Sequence, residues 1–329
     1  MRQAIFVIVF ALSFGYFIVQ LLERVRYIRL GRAENCSDHP VIRLRYLLKQ
    51  LLWHQKIREY PLSGLFHWPV IWGFIVLTLS SLDMALSFLF NYRLPVLGST
   101  WFLLIRDTFI VLVMFGVVGF LLRRLFFKPD WLHNSLKAYG ILIIILVIVL
   151  TELAYLIGEA VLTPAVNIEA AWLVYPLSRQ VTLMDKDLLV GLREAAFWLH
   201  FLTMFSFFYI IPHSKHLHLV FAPFNIYWRS FRPTGRLTTL DLDRQTACGV
   251  DVVEDFTWKQ LLDAFSCAMC GRCHGACPSE RSLERLKPKK INGRLRTYLE
   301  AEGRQLFRYR SLKGDMAGGG CQGKKEQLK

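Results

Sequence analysis

The chain has 329 residues, of which 54% are hydrophobic and 14% aromatic. That is well above an ordinary soluble protein and long enough for more than one domain. Its formal net charge of +15 does not signal a nucleic-acid partner, because Lys and Arg mostly flank apolar runs, as they do at an anionic membrane face. Seven cysteines are too few for a disulfide scaffold, and four of them fall within eleven residues, which points to metal chemistry in a reducing compartment.

Five apolar runs reach the length of about 20 residues that a bilayer requires: 4–22, 68–90, 101–122, 139–161 and 195–211. The first reads as a span rather than a signal peptide, since a single Arg precedes it and no small-x-small site follows. The loop after the first run holds Arg24, Arg26, Arg29, Arg32, Arg43, Arg45, Lys49, Lys56 and Arg58, and the loop after the third holds Arg123, Arg124, Lys128 and Lys137. The loops after the second and fourth are poor in basic residues. This asymmetry predicts a protein of the cytoplasmic membrane with its N-terminus outside and its long C-terminal tail inside. Residues 41–58 are amphipathic, with Leu44, Leu47, Leu48, Leu51 and Leu52 on one face. They predict a helix lying on the inner membrane surface or packed on the soluble part.

The tail begins near His213, where Pro212, Pro223 and Pro233 interrupt the helical pattern. Helices are predicted over 258–265 and 292–302, and the Gly-rich, Lys-rich end from Gly318 reads as disordered. The fold class expected is all-α: a five-helix transmembrane bundle over residues 1–222, a small helical cytoplasmic domain over 223–310, and a flexible basic tail over 311–329.

Cys267-x-x-Cys270-x-x-Cys273-x-x-x-Cys277-Pro278 is the strongest motif in the chain. Three thiolates at this spacing wrap one corner of a 4Fe-4S cluster, and Gly271 and Gly275 permit the tight turns. Structural zinc sites pair two knuckles across a longer loop, so zinc fits less well. In two-cluster ferredoxins the fourth Cys binds the other cluster, and no second motif follows here. Cys36, Cys248 and Cys321 stand apart from the motif.

Intramembrane histidines are functional candidates by default, and a membrane haem b is commonly held by two of them on different helices. His67 opens the second span at its inner end, and His213, His216 and His218 follow the inner end of the fifth, so His67 and one of these three share a depth. His200 lies in the outer part of the fifth span. His39, His54 and His133 read as ordinary, and His274, inside the cysteine loop, as a group that tunes the cluster by a hydrogen bond. Asp83, Arg106, Asp107 and Glu152 fall in the outer half of their spans. They read either as a structural Arg106–carboxylate bridge or as a quinone pocket in which Asp83 and Glu152 exchange protons.

Phe66-His67 and the Pro212–His218 segment resemble the ligand segments of the cytochrome b (gamma) subunit of respiratory nitrate reductase. The resemblance implies His67 and His218 as the axial pair of an inner haem b. It implies His200 as one ligand of an outer haem, whose second position is Leu77 here. Residues 256–263 and 267–278 are similar to the alpha-helical ferredoxin domain of heterodisulfide-reductase-type iron–sulfur proteins. Fusions of these two modules form a family of membrane Fe–S oxidoreductases, some linked to electron-transfer flavoprotein. The resemblance runs from His67 to about Leu299. Typical members continue into a second four-cysteine motif and CCG repeats, which are absent from this sequence. The function it implies is electron transfer between the quinone pool and a cytosolic redox partner, such as an electron-transfer flavoprotein or an Fe–S/CCG subunit, through haem b and the cluster. The rival reading is a membrane anchor with a redox-sensing Fe–S tail and no haem. A transporter using Asp83 and Glu152 is disfavoured by the lack of an internal repeat.

Overall fold

The computed structural model describes residues 1–127, 136–164, 166–231, 250–281 and 287–316. Every regular element among them is helical. In chain order the helices are α1 (Arg2–Ile28), α2 (Pro40–Trp53), α3 (Gln55–Arg58), α4 (Pro61–Phe90), α5 (Thr100–Phe126), α6 (Leu136–Leu162) and α7 (Val174–Gln180). They continue with α8 (Lys186–Ile210), α9 (His218–Tyr227), α10 (Trp258–Phe265), α11 (Arg272–Gly275), α12 (Pro278–Arg281) and α13 (Pro288–Met316). Five of them, α1, α4, α5, α6 and α8, are long and apolar enough to cross a membrane, and they correspond to the five runs read from the sequence.

The ends differ in ways that local chemistry explains. α4 starts seven residues early with Pro61 in its first turn, where the missing N–H costs nothing. α8 starts at Lys186, where Asp185 Oδ1 accepts the Leu188 N–H at 3.0 Å and so caps the first turn. Its opening polar residues hid it from a hydropathy count. The amphipathic segment is broken into α2 and α3 at His54, which takes a left-handed φ of 46°. Pro223, expected to interrupt helix, lies inside α9.

The chain forms two compact units, residues 1–15 with 52–209 and residues 16–51 with 210–329. In the first, Phe6 of α1 meets Phe201 and Phe205 of α8 with ring centroids 4.9 and 5.4 Å apart, within the range of favourable aromatic pairs. Leu77, Ile110, Val113, Val117 and Val149 form a second buried cluster between α4, α5 and α6. α4 and α5 approach closely at Gly116, where a Cβ would stand 2.6 Å from the Phe66 carbonyl oxygen. Gly116→Leu is therefore expected to cost about 1–3 kcal/mol by overpacking, read as a fall in thermal midpoint in detergent. Gly140→Ala on α6, where nothing stands within 4 Å, should leave the midpoint unchanged or raise it. Equal midpoints for wild type and Gly116→Leu would contradict the close approach.

In the second unit the core comprises Tyr27, Leu30, Leu217, Phe221, Leu261, Phe265 and Leu299, among others. Thr257 and Gln260 form a reciprocal capping box at the start of α10, and Trp258 Nε1 donates to the Glu34 carbonyl at 2.8 Å. α13 outruns the predicted 292–302 at both ends, because Leu295, Leu299 and Leu306 recur on one face and pack on that core. Arg43 is buried on α2 and donates to the carbonyls of Tyr227 and Arg229 at 2.9 and 2.7 Å. It supplies the donors that the end of α9 lacks, while Leu44 and Leu48 of the expected apolar face remain about half exposed.

Candidate electron-transfer site

α10 delivers the cysteine loop: Cys267 lies two residues beyond its end, and the Cys267 N–H still bonds to the Ala264 carbonyl at 3.4 Å. The loop turns through two residues of positive φ, Met269 at 54° and Gly271 at 82°. The Gly271 turn accords with the sequence reading; Met269 is an addition, since a non-glycine rarely adopts this conformation. Its side chain packs against Gly293 of α13, which fixes the loop on the longest helix of the unit.

The four sulfurs do not converge: among the described residues no three metal-ligating side chains gather at one point. Cys267 Sγ stands 3.8 Å from Met269 Sδ, Arg272 Nε donates to Cys270 Sγ at 3.4 Å, and Cys277 Sγ meets Ser279 Oγ at 2.9 Å. Each of these three contacts is to a residue two positions along. The donor set nonetheless fits an iron–sulfur cluster. Burial acts to raise the Cys270 thiol, but the Arg272 backbone N–H and guanidinium outweigh it and hold the pKa below its ordinary value. This favours the thiolate, the form that binds metal. Cys36 differs. Burial and the neighbouring Glu34 carboxylate push its thiol up, as an ordinary buried cysteine behaves. Cys248, Cys321, His133, Pro233 and the Gly-rich end lie outside the described residues, as does the side chain of His274.

The histidines fall into distinct settings. His67, on the second turn of α4, faces Phe120 edge-on with centroids 6.2 Å apart. His218 opens α9, and its Nδ1 lies 2.7 Å from the Lys215 carbonyl. A carbonyl only accepts, so Nδ1 carries the proton and Nε2 keeps a free lone pair. Burial pushes the His218 pKa down, further than the Lys215 bond restores it, so the ring is neutral. This is the state an axial haem ligand needs, so His218 fits the group. His216 approaches Ser214 Oγ through Nδ1 at 3.4 Å. His213 is engaged at both nitrogens, by Tyr16 OH at 2.9 Å and Arg24 Nη2 at 3.3 Å. It borders a polar cavity of about 340 Å³ with Glu23, Arg24, Glu300 and Arg304, a feature the sequence reading missed because its parts lie far apart in the chain. His200 is fully buried; Ile148 O lies 3.1 Å from Nδ1 and Ser81 Oγ 3.0 Å from Nε2. A haem there would have to displace Ser81, and Leu77, the expected second position, is buried in an apolar cluster.

The intramembrane charges divide similarly. Arg106 pairs with Asp107 at 2.9 Å, and Asp107 Oδ2 accepts the N–H groups of Leu173 and Val174 at 2.9 and 3.0 Å. That matches the structural bridge. Asp83 accepts the Leu94 N–H at 2.8 Å and lies 3.6 Å from Arg93. Glu152 is fully buried. Ser80 and Arg106 are the polar groups that act on it, yet neither carboxyl oxygen makes a hydrogen bond of ordinary geometry.

No family profile matches the chain, and no solved structure does. Curated proteins do. The chain is 28% identical over 309 residues to the probable iron-sulfur-binding oxidoreductase FadF of Bacillus subtilis (strain 168), covering 91% of this chain and 43% of that protein. It is 26% identical over 271 residues to the EtfAB:quinone oxidoreductase of Syntrophomonas wolfei subsp. wolfei (strain DSM 2245B / Goettingen), covering 77% and 37%. A 61-residue stretch, 18% of this chain, is 48% identical to 9% of a probable membrane-anchored ferredoxin of Chromohalobacter salexigens. The chain spans less than half the length of these relatives. Its five apolar helices and these likenesses are those of a membrane protein of the iron–sulfur electron-transfer class.

Proposed function

We propose that this protein carries electrons across the membrane–cytosol boundary, between the quinone pool and a cytosolic redox protein, through one haem b and one 4Fe-4S cluster. The observation that carries the reading is the packing of α9 on α10 within the second unit. Phe221, one turn after His218, meets Phe265 with centroids 6.2 Å apart and planes tilted by 40°. Ser266, next to Cys267, donates to the Phe221 carbonyl at 3.3 Å. A candidate haem ligand and a candidate cluster ligand therefore belong to one folded core, and electron transfer needs such a short fixed path. When bound, the haem and cluster supply one-electron redox chemistry, and quinol oxidation releases two electrons and two protons. The protein's residues would hold these groups: Cys267, Cys270, Cys273 and Cys277 the cluster, His67 and His218 the haem. One haem suffices for this reading, since both His200 nitrogens have protein neighbours. The basic loops put the tail on the cytosolic side. There an electron-transfer flavoprotein or a separate Fe–S subunit is the fitting partner, as the name of the Syntrophomonas relative suggests.

The likeness to a membrane-anchored ferredoxin favours a second reading, an anchored cluster without haem. Spectra of the full chain, purified anaerobically, separate the two. The conduit predicts a haem Soret band and a reduced-cluster EPR signal, with the haem reduced or oxidised on adding a quinol or quinone. A cluster signal with no Soret band discards the conduit and leaves the anchored ferredoxin.

A further inference from the structure

The second unit carries a stripe of cations that has no role so far. The Lys287 carbonyl accepts the N–H groups of Lys290 and Ile291 at 2.8 and 3.3 Å and so starts α13. Lys287, Lys290 and Arg294 then recur at i, i+3 and i+7, which sets them along one side of the helix, and all three are exposed. Ile291 and Tyr298, on the adjoining stripe, are 50% and 48% exposed. The cysteine loop rests against this part of α13. The Met269 side chain meets Gly293, and α11, which holds Cys273, packs on α13. Cys273 is exposed, so a cluster held by the loop would lie at the surface, beside the stripe.

The charge is uncompensated. Carboxylates of the unit are spent elsewhere: Glu300 on Arg296 at 2.9 Å, Asp263 on Lys259 at 2.7 Å and Glu23 on Arg304 at 2.6 Å. No ion pair joins Lys287, Lys290 or Arg294 to a carboxylate among the described residues. From 267 to 298 Lys and Arg number eight and Glu two, so the surplus holds over the whole stretch. We propose that Lys287, Lys290 and Arg294, with Ile291 and Tyr298 between them, form the docking surface for a soluble electron carrier whose redox group is ringed by Asp and Glu. It rests on the iron–sulfur reading of the loop. Opposite charge on the two faces would speed their encounter and fix the orientation in which the two redox groups approach, and Tyr and Arg are side chains enriched where proteins meet. An anionic bilayer would also attract the cations. Over 288–298, however, the exposed large apolar side chains are Ile291 and Tyr298, too few to seat the helix in lipid, and a bilayer over Cys273 would bar a second redox group from the loop.

The test uses the full chain in phosphatidylcholine nanodiscs, with a small acidic ferredoxin as the probe and a basic c-type cytochrome of similar size as its control. The ferredoxin should bind and the cytochrome should not, and the affinity should fall as salt rises. Lys290→Glu/Arg294→Glu is expected to weaken ferredoxin binding about tenfold, with iron and acid-labile sulfide at the wild-type level. Arg45→Glu/Lys49→Glu, the same change of net charge on exposed residues of α2, should leave binding unchanged. Lys290→Gln/Arg294→Gln, which removes the charges without reversing them, should fall between and carries the test if the reversal does not fold. Bound ferredoxin should shield Lys287 and Lys290 from acetylation. Equal losses in the α2 and α13 pairs would reduce the attraction to net charge and overturn the surface, as would unchanged affinity in the α13 pairs or no binding of the ferredoxin at all. Shielding of the same lysines by phosphatidylglycerol nanodiscs with no carrier present would assign the stripe to lipid and overturn it as well. A wild-type chain without iron and sulfide would remove the iron–sulfur reading and the surface with it; a loaded chain whose α13 pairs bind normally would remove the surface alone.

Discussion

Protein carrying Cys270→Ser, purified without oxygen, is expected to lose most of its iron and acid-labile sulfide, whereas the wild type should hold about four irons per cluster. Each thiolate of the motif would ligate one iron of the cube, so loss of Cys270 leaves one iron without its protein ligand. A serine hydroxyl is a hard oxygen donor and a poor replacement for a soft thiolate. The local structure favours the thiolate at this position. Arg272 donates to Cys270 and holds its thiol below the ordinary value, and the turns at Met269 and Gly271 flank it on either side. Cys277→Ser asks a separate question. If this chain alone holds the cluster, that variant loses iron as Cys270→Ser does; if a partner supplies the fourth ligand, iron is retained. Zinc in the wild type, with no sulfide, would remove the electron-transfer reading of the tail altogether.

What was legible in the sequence follows from which forces are local. The five spans were visible because length and hydropathy act residue by residue along one helix. α10 was visible because its capping box, Thr257 and Gln260, is closed within three residues. The polar opening of α8 was not, since it depends on Asp185 as a cap rather than on apolar content. Arg43 shows the limit most clearly. It counts among the basic residues of the first loop, yet it is buried because the carbonyls at the end of α9, 184 and 186 residues away, lack donors. The cysteine spacing named a chemistry without fixing the geometry, and Cys267, Cys270 and Cys277 each meet a side chain two residues along. Gly116 was equally silent: an absent side chain acquires meaning only when another helix stands beside it.

His218→Ala, and separately His67→Ala, are each expected to remove a low-spin b-type spectrum. A low-spin haem needs a strong ligand on both faces of the iron, so losing either imidazole leaves a five-coordinate, high-spin centre or no haem at all. His218 is prepared for the role by its surroundings. The Lys215 carbonyl accepts the Nδ1–H hydrogen bond at 2.7 Å, which leaves the lone pair on Nε2, and burial pushes the ring's pKa down. Such a carbonyl partner also orients a ligating imidazole and raises its basicity. The neighbouring histidines supply the controls. His213 is engaged by Tyr16 and Arg24 at its two nitrogens, so His213→Ala should keep the low-spin bands. His216, whose ring centroid is 6.0 Å from that of His218, should keep them as well when changed to Ala. Loss of the bands in His216→Ala with retention in His218→Ala would move the ligand by two residues and leave the haem in place. Unchanged spectra in both His67→Ala and His218→Ala would sink the axial pair, and with it the path that joins the membrane helices to the cysteine loop.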